Sequence, residues 1–172
     1  MTDKVQDFDG LAESPSARSH EGYRLSFELE PRRIRARFQG ETVADSSDVL
    51  VMRETRLTPV FYFPREHVRM DPLAKSARHT HCPFKGNASY WTIKVGRKSA
   101  KNAAWSYEKP YDESSNVKGY IAFDWQAIDS WTADDMDIVE QPRDDTETKE
   151  NPLVSWLVQD AWMSKSSRDL EA

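Results

Sequence analysis

The residues best suited to chemistry gather in one stretch, His79-Thr80-His81-Cys82-Pro83-Phe84-Lys85-Gly86, which runs on into Asn87-Ala88-Ser89-Tyr90-Trp91. It holds the sole cysteine and two of the four histidines. Cys82 is a candidate nucleophile, because His79, His81 and Lys85 are near enough in sequence to lower a thiol's pKa. The blander reading, a half-buried thiol valued for packing, is preferred because no group that would orient a histidine base is visible. In an extended segment His79 and His81 would share a face and Cys82 would point the other way, so no metal site is assigned. Lys85-Gly86 lacks the earlier glycines of a phosphate-binding loop. Lys85 is a second candidate for covalent chemistry, or a point charge that holds an anion beside Arg65 and Arg69.

Strands must position these groups. Leu25, Phe27 and Leu29 alternate with polar residues, and Ile34, Ala36 and Phe38 resume the period after Pro31, with Arg33, Arg35 and Arg37 on the opposite face. Gln39-Gly40 is a turn signal, after which residues 41–45 pair back as a hairpin. Residues 49–52, 60–63, 90–95 and 102–107 read as further strands, and 119–125 as the last core strand. Residues 65–71 read as a loop or single helical turn, 73–78 as another short turn and 111–116 as loop. On strands, Trp91 faces the core opposite Tyr90, while Trp105 and Tyr107 share a face. Many short strands with punctuating Gly and Pro predict an antiparallel all-β domain.

The flanks differ in kind. Residues 1–22 are polar and aperiodic and read as a flexible tail. Residues 132–150 form an acidic linker, or an arm lying on the domain. Asn151-Pro152 caps a predicted amphipathic helix over 151–166, whose stripe is Leu153, Val154, Trp156, Leu157, Val158, Ala161 and Trp162. That stripe must dock on its own domain or on a second copy.

Composition bounds the function classes. The 172 residues are 38% apolar and 31% charged, which suits a globular domain with a real core. No apolar run reaches the ~20 residues of a membrane span, and Met-Thr-Asp-Lys opens no apolar leader. With one cysteine no intrachain disulfide can form, so the cytosol is the expected compartment. Net charge is −4 over residues 1–30, +9 over 31–110 and −10 over 111–172. No arginine cluster accompanies a nucleic-acid motif, so the basic middle is read as screened by acidic ends.

Four blocks carry a family resemblance. Residues Arg35-Ala36-Arg37-Phe38-Gln39-Gly40-Glu41-Thr42-Val43-Ala44-Asp45 resemble the opening strand pair of the domain of unknown function 427 family. Residues 60–70, from Val60-Phe61-Tyr62-Phe63-Pro64 to Met70, are similar to its second block. His81-Cys82-Pro83-Phe84-Lys85-Gly86 with Tyr90-Trp91 is similar to the third, and Asn102-Ala103-Ala104-Trp105-Ser106-Tyr107 to the fourth. The resemblance covers residues 24–131. It implies a β-tent fold, shared with methionine sulfoxide reductase B and the thalidomide-binding domain of cereblon, in which two antiparallel sheets meet at an angle around a cleft. Many β-tent proteins hold zinc with two cysteine pairs, which a single cysteine cannot supply. A nucleotidyl-transfer label attached to the family finds no supporting motif here.

The expected molecule is a β-tent domain over residues 23–131 that binds a small polar or planar ligand, anionic ones included. Tyr62, Arg65, Arg69, His81, Lys85, Tyr90, Trp105 and Tyr107 would line its cleft, with no cofactor, nucleic acid or membrane involved. The alternatives are an enzyme using Cys82 or Lys85, or transferring a nucleotidyl group, and a protein that dimerises through its terminal helix.

Overall fold

The computed structural model describes residues 23–143. Among them the chain is all-β, with two antiparallel sheets, the arrangement on which the β-tent expectation rests. The larger sheet runs in the order β1 (Leu25–Leu29), β4 (Leu50–Glu54), β5 (Val60–Pro64), β9 (Tyr120–Phe123), β8 (Lys98–Ser106), β7 (Gly86–Val95), β6 (Leu73–Cys82). The smaller runs β11 (Met136–Asp137), β10 (Ser130–Ala133), β2 (Ile34–Phe38), β3 (Glu41–Ser46). Short 3-10 turns at Arg65–His67 and Asp112–Val117 join strands. No helix among these residues is long and apolar enough to cross a membrane.

Period-two alternation gives the larger sheet two buried faces. One joins the smaller sheet in a common core, in which Ile34, Ala36, Phe38, Val43, Trp131 and Ala133 meet Val51, Phe61, Phe63, Trp91, Ile93, Ile121 and Phe123. The other, its outer face, carries a second cluster of Met52, Tyr62, Ala88, Tyr90, Tyr107, Val117 and Ala122. Along β5, Phe61 and Phe63 therefore point into the common core while Tyr62 points away from it. Tyr90 and Trp91 divide likewise, as do Ala104 and Trp105.

Two stretches depart from the sequence reading. Residues 73–78, expected as a short turn, belong to the ten-residue β6. This strand lies at the sheet edge, and from Ser76 onward its more buried side is Ser, Arg, Thr and Cys rather than apolar, so hydrophobic alternation does not reveal it. A register shift between Lys75 and His79 obscures it further. Residues 132–137, read as the start of an acidic linker or arm, fall in β10 (Ser130–Ala133), a turn and β11 (Met136–Asp137), so 119–125 does not contain the last core strand. β10 pairs with β2 and buries Trp131. The acidic pair Asp134-Asp135 is the two-residue hairpin turn between β10 and β11, with φ of 49° and 66°, a conformation that Asp tolerates. One contact joins the acidic end to the basic middle, Asp135 to Arg35 at 3.0 Å, while Arg33 is held at 2.7 Å by Asp45 from the middle itself. The predicted tail over 1–22 and helix over 151–166 lie outside the described residues.

Trp131 ties β10 to the core. Its ring stacks on Trp125, with centroids 4.6 Å apart and planes 6° apart, and it packs against Phe61 and Phe63. Its indole N–H donates to the Trp125 carbonyl at 3.2 Å. Trp131→Ala is therefore expected to lower unfolding free energy by about 3–5 kcal/mol in denaturant titrations, whereas a loss below about 1 kcal/mol would show β10 to be peripheral.

Candidate functional site

The turn at the tip of the β6–β7 hairpin folds inward. Cys82 pairs with Gly86, which leaves Pro83, Phe84 and Lys85 as a three-residue loop. Gly86 has φ of 98°, and a Cβ there would stand 3.2 Å from the Lys109 carbonyl oxygen, so the chain can turn and pass close to its neighbour only with glycine. Phe84 and Lys85 are consequently buried, at 1% and 4% exposure. Their carbonyls are satisfied by the crossing segment: Ser114 Oγ donates to Phe84 O at 3.0 Å, and the Tyr111 N–H to Lys85 O at 3.2 Å.

Lys85 meets Glu54 on the outer face of the larger sheet. Glu54 ends β4, where alternation puts it on the same side as Leu50 and Met52, and it is 1% exposed. The Lys85 ammonium donates to Glu54 Oε2, and the Tyr23 hydroxyl donates to Oε1, so each carboxylate oxygen has one partner. The Tyr107 ring lies 5.8 Å from the ammonium. Next to them, Trp105 Nε1 donates to the buried Tyr62 hydroxyl at 3.3 Å, and Tyr90 shares a 2.8 Å hydrogen bond with Thr80. Leu25, Phe27, Leu50, Val60, Trp105 and Tyr120 surround this cluster half-buried.

Burial is the largest single influence on Lys85 and works to lower its pKa, but Glu54 together with Cys82, Tyr62 and Tyr23 outweighs it and the value is raised. Burial pushes Tyr62 up to about 12 although Lys85 pulls the other way. Burial also raises Tyr107 well above its ordinary value, and burial together with Glu54 raises Tyr23. The site at neutral pH is thus an ammonium among neutral phenols, with Glu54 beside it. A protonated Lys85 is no amine nucleophile.

The structure gathers Tyr62, Lys85, Tyr90, Trp105 and Tyr107 on one face, with Cys82 half-buried at its margin against Phe84. It does not assemble the anion-binding trio of Lys85, Arg65 and Arg69. Arg65 is exposed, 5.7 Å from the ring of Trp91, which belongs to the common core. Arg69 is exposed and paired with Glu41 at 2.5 Å. Lys85 is itself neutralised by Glu54. His81 is exposed, with Nδ1 2.7 Å from Asn87 Oδ1. His79 and His81 lie on the exposed side of β6 and Cys82 on the other, so the three do not converge. Glu54 and Tyr23 were not selected from sequence, although the period of β4 carries the signal for Glu54. A separate surface depression of about 610 Å³, lined by Trp125, Asp129, Trp131 and Asp137 among others, contains none of the selected residues.

Alkali tests this electrostatic picture. Lys85, Tyr23, Tyr62 and Tyr107 all have raised values in the folded protein, so above about pH 10 the folded state holds more protons than the unfolded one. Their stabilisation is complete below that pH and is lost as pH rises. Phenolate absorbance should therefore show at least three of the six tyrosines ionising only as circular dichroism reports unfolding. All six titrating near pH 10 in a folded chain would contradict the burial of these groups.

Comparison with known proteins places the chain within a family. No curated protein matches the chain. The model of a family described as a domain of unknown function (DUF427) matches residues 26–134, a span that includes Glu54, Tyr62, Lys85, Trp105 and Tyr107 and leaves out Tyr23. With well over half its length matched, the chain belongs to the DUF427 family.

Proposed function

We propose that this DUF427 protein binds a small planar, polar molecule on the outer face of its larger sheet. The ligand's flat body rests on the half-buried rings of Phe27, Trp105 and Tyr120, and its polar end turns toward Tyr62 and the Glu54–Lys85 pair. One observation carries this reading: a completely buried pair of opposite charges underlies an aromatic surface that remains partly open. Such a pair gives little net stability over well-packed apolar residues of the same size, so stability alone is a weak reason for it. A mostly apolar surface with a few convergent polar groups is the usual make-up of a ligand site.

Glu54 cancels the charge of Lys85, which favours a hydrogen-bonding ligand of low net charge over a bare anion. The same pairing weighs against covalent catalysis by Lys85, since a protonated amine has no free lone pair.

A thermal-shift and tryptophan-fluorescence screen of nucleobases, nucleotides, aromatic acids and amino-acid derivatives tests the proposal. A saturable hit on the wild-type chain should weaken about tenfold in Trp105→Ala, a half-buried position whose loss leaves the core intact. The proposal fails if nothing binds saturably, or if binding is unchanged in both Trp105→Ala and Phe27→Ala.

A further inference from the structure

Tyr23 occupies the charged end of this face as a ligand would. It precedes β1, and its ring stacks on Phe84 with centroids 3.9 Å apart and planes inclined by 17°. Its hydroxyl donates to Glu54 Oε1 while Lys85 holds Oε2. Leu25 and Cys82 pack against the same Phe84. The result is a slot with an aromatic floor, a side lined by Leu25 and Cys82, and a carboxylate–ammonium pair at its far end.

The chain is anchored immediately after this ring. The Arg24 N–H donates to Thr55 Oγ1 at 2.7 Å, the Thr55 N–H donates to the Arg24 carbonyl at 2.9 Å, and strand register begins at Leu25 opposite Glu54. Withdrawal of the Tyr23 side chain would break one ring stack and one hydrogen bond, leaving the β1–β4 ladder in place.

The slot selects by chemistry. A carboxylate already bound by an ammonium has an oxygen that calls for a donor, and a phenol supplies a strong O–H donor together with a flat ring. A carboxylate ligand meets repulsion from Glu54, and an aliphatic alcohol has no face to stack on Phe84. We propose that Tyr23 is a built-in occupant of a phenol-binding slot, and that the protein's ligand carries a 4-substituted phenol which takes the place of the Tyr23 side chain. This deepens the binding reading above and rests on it, but it is tested apart from it.

The probe is 4-methylphenol, which has the atoms of a tyrosine side chain, with toluene as the ring lacking a hydroxyl. On the full chain carrying Tyr23→Ala, 4-methylphenol should raise Tm saturably by about 4 °C. Toluene should do markedly less, and Tyr23→Phe, whose ring still fills the slot, should not respond. If Tyr23→Ala does not fold unaided, the measurement becomes recovery of folded protein on refolding, which 4-methylphenol should improve over toluene. No response in Tyr23→Ala, or one that toluene equals, would overturn the phenol assignment, and so would an equal response in Tyr23→Phe. A wild-type chain that still bound a planar ligand through Trp105 would then keep the binding reading while losing the slot.

Discussion

The ion pair between Glu54 and Lys85 constrains everything around it on the outer face. Removing two charges from water costs several kcal/mol each, and only close contact with further hydrogen bonding offsets that cost. The fold supplies these terms from distant parts of the chain: Glu54 at the end of β4, Lys85 at the tip of the β6–β7 hairpin, and the Tyr23 hydroxyl from just before β1. Tyr107 adds an aromatic face near the ammonium. Losing either charged partner would strand the other in a medium that hydrates it poorly.

This demand explains local features that otherwise look unrelated. Lys85 can turn inward because Gly86 adopts a positive φ and lets the hairpin tip bend beneath residues 109–114. Those residues in turn satisfy the loop carbonyls, so a polar backbone segment can be buried at no hydrogen-bonding loss. The apolar support of the molecule is the common core on the sheet's other face, where Trp131 and Trp125 stack and the two sheets meet. The larger sheet is therefore a wall, secured on one side and presenting chemistry on the other.

Much of the wall was legible in the sequence, for a plain physical reason. Half-buried strands announce themselves by alternation, as Leu25–Leu29 and Ile34–Phe38 do, and a strand buried on both faces by an unbroken apolar run, as Val60–Pro64 does. The opposed facing of Tyr90 and Trp91, and of Ala104 and Trp105, follows from the same period. β6 escaped because an edge strand presents polar residues on both sides, and β10 because its alternation, Ser-Trp-Thr-Ala, lasts only four residues. The site was half legible. Aromatic residues and Lys85 could be picked by type, but partnership could not, since Glu54 lies 31 residues from Lys85 and from Tyr23 alike. A lone glutamate after Arg53 reads as a surface residue until the period of β4 is carried one step further. Arg65 and Arg69 share the family's matched blocks with Lys85, and His81 lies close to it in sequence, whereas the sheet divides such residues between two faces.

The most direct measurement is a double-mutant cycle between Glu54→Leu and Lys85→Met, read by chemical denaturation. Each single substitution should cost about 3–5 kcal/mol, because it leaves one buried charge unpaired, while the double variant should lie within about 1 kcal/mol of the wild type. A coupling of several kcal/mol between the two positions would establish the pair as the interaction on which the outer face depends. Single effects that simply add, with coupling below about 0.5 kcal/mol, would mean that the two charges do not meet in the folded protein.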